Sequence, residues 1–135
     1  MGYHAVVVFY RVRNLAVYPN PQEDLARAVQ EVLCHAEDWT LDMEGYSVWG
    51  SSAGGHLAGS FGTEVMGYVK YNLPKPGALI LVYPVVTMGE KTHAGSKTNL
   101  LGPHPDPALL QLASLENQVT GSYPPTFLWC GLADG

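Results

Sequence analysis

The residue best placed to act as a nucleophile is the serine at the centre of Gly50-Ser51-Ser52-Ala53-Gly54. This Gly-x-Ser-x-Gly pattern follows a short apolar run, Tyr46-Ser47-Val48-Trp49, and precedes helix-like sequence. A strand that turns sharply into a helix holds such a serine in a strained conformation, and small residues two positions on either side avoid clashes. Ser52 is then expected to project above a sheet. The backbone NH of Ala53, at the positive end of the next helix, is expected to face an oxyanion as it develops. The chemistry implied is attack on an ester carbonyl. Far downstream, Asp134 in Gly131-Leu132-Ala133-Asp134-Gly135 follows a strand-like run. Parallel-sheet enzymes place site carboxylates there.

A serine hydroxyl also needs a base, and the chain has five histidines. His56 lies four residues after Ser52, on a helix that should run away beneath the sheet, which suits packing or hydrogen bonding. His4 and His35 read as structural. His93 and His104 fall in an irregular stretch able to approach a site, and are candidate substrate-side residues. Cys34 and Cys130 belong to no Cys-x-x-Cys or Cys/His spacing, so neither a zinc site nor a disulfide framework is expected, and both read as structural free thiols.

Seven Lys+Arg against twelve Asp+Glu give a formal charge of -5 without a basic cluster, which argues against nucleic acid as a partner. Met1-Gly2-Tyr3-His4 lacks the basic start of a secretory signal. The longest apolar run, Ala78 to Val86, is far short of the ~20 residues a membrane span needs. A cytoplasmic protein that acts on a small-molecule ester is the expectation; the oligomeric state has no sequence signal.

Length 135 suits a single domain, 1–135, able to bury about two thirds of its unfolded surface. His4 to Val12, rich in Val, Phe and Tyr, is predicted to be a strand covered on both faces. From Pro21, apolar Leu25, Ala28, Val29, Val32, Leu33 and Ala36 recur at helical spacing, with Glu23 and Asp24 in the first turn. Tyr46 to Trp49 is a predicted strand, about Gly54 to Thr63 a helix of small residues that can lie close to the sheet, and Ala78 to Tyr83 a strand stopped by Pro84. Residues 84–125 form a long excursion, a candidate lid or substrate-contacting segment or else a plain connection, with a short helix at about Ala108 to Leu115. Thr126 to Cys130 is the last predicted strand. The alternation is that of an α/β fold.

Together, Tyr18-Pro19-x-Pro21-x-x-Asp24-Leu25-Ala26-Arg27-Ala28, Gly50-Ser51-Ser52-Ala53-Gly54-Gly55-His56, Tyr83-Pro84-Val85-Val86 and Pro124-Pro125-Thr126-Phe127-Leu128-Trp129 resemble the α/β-hydrolase esterase/lipase superfamily. Bacterial acetyl-esterase or xylan-esterase-like members are the nearest likeness. The resemblance implies hydrolysis of short acyl esters, including acetylated sugars, without metal or cofactor. It makes Ser52 the nucleophile, Ala53 NH an oxyanion donor, Gly50 and Gly54 the elbow glycines and Asp134 the triad acid. The family's His-Gly-Gly oxyanion segment and catalytic His have no counterpart in this sequence, so an internal fragment, nearly inactive alone, is expected.

The implied fold is a partial α/β-hydrolase: a mostly parallel sheet of about four strands with helices on both faces. In the family's strand order one strand lies between the equivalents of His4 to Val12 and Tyr46 to Trp49, so a gap or a forced pairing is expected there. A prolyl-oligopeptidase-type serine peptidase, sharing elbow and acid, and a non-catalytic remnant are the alternatives.

Overall fold

The computed structural model describes residues 2–131, which build on a three-stranded parallel sheet. Its strands are β1 (Ser47–Ser51), β2 (Ala78–Val82) and β3 (Thr126–Trp129), in the order β1-β2-β3. The register aligns Val48 with Leu79 and Leu79 with Thr126, so alternate residues share a face. Four helices accompany them: α1 (Asn20–Cys34), α2 (Ser52–Phe61), α3 (Ala94–Leu101) and α4 (Pro107–Ala113).

Helix α1 takes Pro21 in its first turn, where a missing NH costs nothing, and buries Gln22, Leu25, Ala26 and Val29 on one stripe. Helix α2 is buried from Gly55 to Phe61. Its small residues bring it close to the sheet and to the chain leaving β2: a Cβ on Gly59 would lie 3.5 Å from Leu81 Cδ1, and one on Gly55 2.8 Å from Pro84 Cβ. Val48, Leu57, Phe61, Tyr68, Leu79 and Leu81 join Leu25 and Val29 in the main core.

The opposite sheet face carries Trp49, Phe127 and Trp129, which are 71%, 61% and 51% exposed. Among the described residues no helix covers it, so the second helical layer expected there is not seen. Parallel sheets are ordinarily buried on both faces, and this one buries its Leu79 face.

The expected strand at His4 to Val12 is a correction. Its side chains alternate as in a strand, with Val8 and Tyr10 packed on the core while Val7 and Phe9 are 76% and 93% exposed. Yet no strand is formed there, and the sheet has three strands rather than about four. What fixes the segment is a charged clasp. The Arg11 backbone NH donates to Asp24 Oδ2 at 2.9 Å, its Nε donates to the same oxygen at 2.9 Å, and its Nη2 donates to the Asn20 carbonyl at 3.0 Å. The guanidinium holds the Asp24 carboxyl below its usual range, and Asp24 keeps the guanidinium charged.

Within the excursion two helices form instead of one. The stretch around His93, read from the sequence as irregular, is helical: His93 caps α3, its Nδ1 accepting from Ser96 N at 3.2 Å. Asp106 does the same for α4, its Oδ1 accepting from Ala108 N at 2.8 Å ahead of Pro107. Met88, Leu100, Leu101 and Ala113 form a second small core. Both flanks are tied together by Met88 N donating to Ser114 Oγ and Leu115 N to Val86 O, each at 3.0 Å. Among the described residues no helix is long and apolar enough to cross a membrane.

Candidate functional site

The last residue of β1 is Ser51 and the first of α2 is Ser52, so the chain reverses within one peptide. Ser52 absorbs the turn with φ 53°, in the left-handed region. For an L-residue that conformation costs roughly 1–2 kcal/mol, and such strain concentrates at functional positions. The bend is tight because Gly50 has no side chain: a Cβ there would lie 1.9 Å from the Gly54 carbonyl oxygen. Gly54 is different, since a Cβ on it would meet only Tyr10 Oη, at 3.5 Å. Val85 N donates to the Ser52 carbonyl at 3.1 Å and pins the bend to the chain leaving β2. Ser52 and Ala53 are exposed, whereas α2 is buried from Gly55 onward. A hydroxyl at the mouth of a buried helix, beside that helix's first unbonded NH groups, has the layout needed for covalent acyl transfer.

No imidazole hydrogen-bonds Ser52 among the described residues. His56 is buried on α2, and its Nε2 donates to the Ala113 carbonyl at 2.8 Å, which links the nucleophile helix to the end of α4. Burial pushes its pKa down, against the opposing pull of that carbonyl and of Glu116. His93 is spent on capping α3, and its Nδ1 also lies 3.0 Å from Ser96 Oγ. His35 stacks on the Trp39 ring at 4.8 Å between centroids, while His104 is exposed on the segment between α3 and α4. Neither His93 nor His104 is seen to hydrogen-bond Ser52.

Ser51 pairs with Val82 and Val82 with Trp129 in the register, so β3 ends level with the bend. The chain therefore leaves β3 at the Ser52 end of the sheet. Asp134, the expected acid, lies outside the described residues. Among those residues no group of three or more His, Cys, Asp or Glu could hold a metal ion. Cys34 and Cys130, read from the sequence as structural thiols, are both exposed.

Beside the first turn of α2 lies a cavity of about 110 Å3, lined among others by Tyr10, Gln22, Ala53, His56, Val85 and Met88. Ala53, His56 and Leu57 face it from positions one helical turn apart. Gln22, Tyr10 and Met88 carried no signal in the sequence, because they come from three segments joined only by folding. A wider hollow of about 370 Å3, under Leu81, Leu115, Tyr123 and Leu128, holds no residue of the bend.

The profile of the BD-FAE family matches residues 1–135. Among curated proteins, endo-1,4-beta-xylanase B of Butyrivibrio fibrisolvens is 36% identical over 138 residues, covering 95% of this chain and 22% of its own length. An acetylxylan esterase of Xylanibacter ruminicola is 32% identical over 108 residues, covering 78% of this chain and again 22% of its own. Among solved structures, an acetyl ester-xyloside bifunctional hydrolase of Caldicellulosiruptor lactoaceticus superposes with a TM-score of 0.78 at 37% identity, covering 89% of this chain and 46% of that one. The chain thus spans about a fifth of the curated relatives and under half of the solved one.

Proposed function

Because the chain belongs to the BD-FAE family and shares its fold with α/β-hydrolase esterases, we propose that it carries the nucleophile of a serine carboxylesterase for short acyl esters, acetyl esters of sugars among them. The observation that carries this reading is Ser52 held at φ 53° on a strand-to-helix bend. Ser52 Oγ bonds to the ester carbonyl carbon while an imidazole takes its proton. Ala53 NH stabilises the oxyanion. The C–O bond to the alcohol then breaks, the alcohol leaves with that proton, and water hydrolyses the acyl-serine to regenerate Ser52. Asp134 is assigned the orientation of the imidazole. The names of the xylan-directed relatives and of the acetyl ester hydrolase support an acetylated-sugar substrate.

In this reading His56 and His93, each committed elsewhere, are not the base. A triad member's removal lowers turnover by about 10^4 to 10^6, so the 135-residue chain alone should be almost inactive. Added imidazole offers a direct test. It should raise hydrolysis of p-nitrophenyl acetate, and labelling by a fluorophosphonate, in the native sequence over Ser52→Ala. Equal rates in the two at every imidazole concentration would favour a non-catalytic role. Cleavage of a proline peptide without ester hydrolysis would favour the peptidase.

A further inference from the structure

Tyr10 brings to the first turn of α2 a hydroxyl that the fold does not use. The ring is half-buried and packs on the main core, and the next residue, Arg11, is anchored to Asp24 through its backbone NH. Tyr10 Oη lies 3.5 Å from the place a Cβ on Gly54 would take. In a helix that bond tilts toward the N-terminus, so the hydroxyl stands by the end of α2 whose first NH groups have no partner within the helix. Ala53 and Tyr10 line the same half-open pocket. Two other half-buried tyrosines spend their protons inside the protein: Tyr46 Oη donates to the Pro74 carbonyl at 2.6 Å and Tyr123 Oη to the Gly59 carbonyl at 2.8 Å. Among the described residues Tyr10 Oη has no such acceptor. Burial pushes its pKa up, so it keeps its proton at neutral pH and remains a donor.

We infer that Tyr10 is a second oxyanion donor, its hydroxyl hydrogen-bonding the ester carbonyl oxygen beside Ala53 NH as Ser52 attacks. This rests on the reading of Ser52 as the nucleophile. When Ser52 Oγ bonds to the carbonyl carbon, the electron pair of the C=O bond moves onto oxygen. That oxygen accepts from Ala53 N–H and from Tyr10 O–H, and neither proton is transferred. Hydrogen bonds to a charged oxygen are about twice as strong as those to a neutral one. Both donors therefore hold the transition state more tightly than the ester, which is what lowers the barrier. The second glycine of the Gly-x-Ser-x-Gly pattern then has a use that the bend does not give it: it keeps a methyl group away from the hydroxyl.

The test treats the 135-residue chain with a fluorophosphonate in the presence of imidazole. Ser52 Oγ displaces fluoride, imidazole takes the serine proton, and the phosphonyl oxygen occupies the place of the oxyanion. Loss of one oxyanion donor slows a reaction about 10^2- to 10^3-fold, so Tyr10→Phe should label about a hundredfold more slowly than the native sequence. Phenylalanine keeps the ring and its packing, and an unchanged Tm shows that the donor, not the fold, has been lost. A second measurement needs no variant. With the tyrosines isotope-labelled at Cζ, phosphonylation should shift the NMR signal of Tyr10 and leave those of Tyr46 and Tyr123, bonded to their carbonyls, where they were. Ser52-dependent labelling that runs equally fast in Tyr10→Phe, or a Tyr10 signal unmoved in the adduct, would overturn the inference alone. Labelling that ignores Ser52, or none at any imidazole concentration, would sink the hydrolase reading and the inference with it.

Discussion

The two glycines of the Gly-x-Ser-x-Gly pattern should respond to alanine in opposite ways. At Gly50 a methyl carbon would sit 1.9 Å from Gly54 O, 2.4 Å from Gly54 C and 2.8 Å from Gly55 N. All three are backbone atoms of α2, so relief requires the helix start to move away from β1 by more than 1 Å. Overpacking typically costs 1–3 kcal/mol and sometimes more; with rigid backbone on both sides we place Gly50→Ala at about 3 kcal/mol. At roughly 3–5 °C per kcal/mol for a chain of this length, Tm should fall by about 10–15 °C. At Gly54 the nearest atom to an added Cβ is Tyr10 Oη at 3.5 Å, an ordinary contact with a movable side chain. Alanine in a helix gains up to ~1 kcal/mol over glycine, so Gly54→Ala should be neutral or slightly stabilising. Urea unfolding followed by circular dichroism measures both. Similar losses in the two variants would refute the claim that only Gly50 is sterically required.

Three further outcomes are expected. Ser52→Gly should stabilise the fold by about 0.5–1 kcal/mol in urea unfolding, because the left-handed strain costs more than the entropy that glycine adds, while removing all labelling. Burial holds the folded pKa of His56 below the ordinary imidazole value of about 6.5, so the unfolded chain holds more protons between the two. Its share of stability is thus complete above about 6.5 and declines as pH falls below it; Tm from pH 7.5 to 5 should drop more steeply in the native sequence than in His56→Gln. In an alkaline absorbance titration of the eight tyrosines, Tyr46 and Tyr123, both pushed up to about 12 by burial, should ionise last. Removing either by Phe should delete amplitude from that late phase only.

Where local patterning governs structure, the sequence was legible. The helix read from Pro21 to Ala36 and the runs Tyr46 to Trp49, Ala78 to Tyr83 and Thr126 to Cys130 lie within two residues of α1, β1, β2 and β3. The bend was readable because left-handed turns between strand and helix demand small neighbours. His4 to Val12 failed for a non-local reason: its apolar content is strand-like, but a strand exists only when a partner supplies hydrogen bonds. Helix α3 was missed because Gly95 and Ser96 lower helix propensity, and only the His93 cap reveals the start. Gln22 could not be singled out, since a glutamine in a helix's first turn is ordinary until its neighbours are known.

The bare sheet face also makes the molecule its own optical gauge. Of three tryptophans, Trp49 and Trp129 stand on that face and Trp39 stacks on His35 elsewhere, about half exposed. Emission from the chain is therefore dominated by indoles in water. It should peak far to the red and be quenched readily by acrylamide. Anything that settles on the face turns two of the three emitters blue and shields them, so covering of the sheet can be followed by light alone, with no label added.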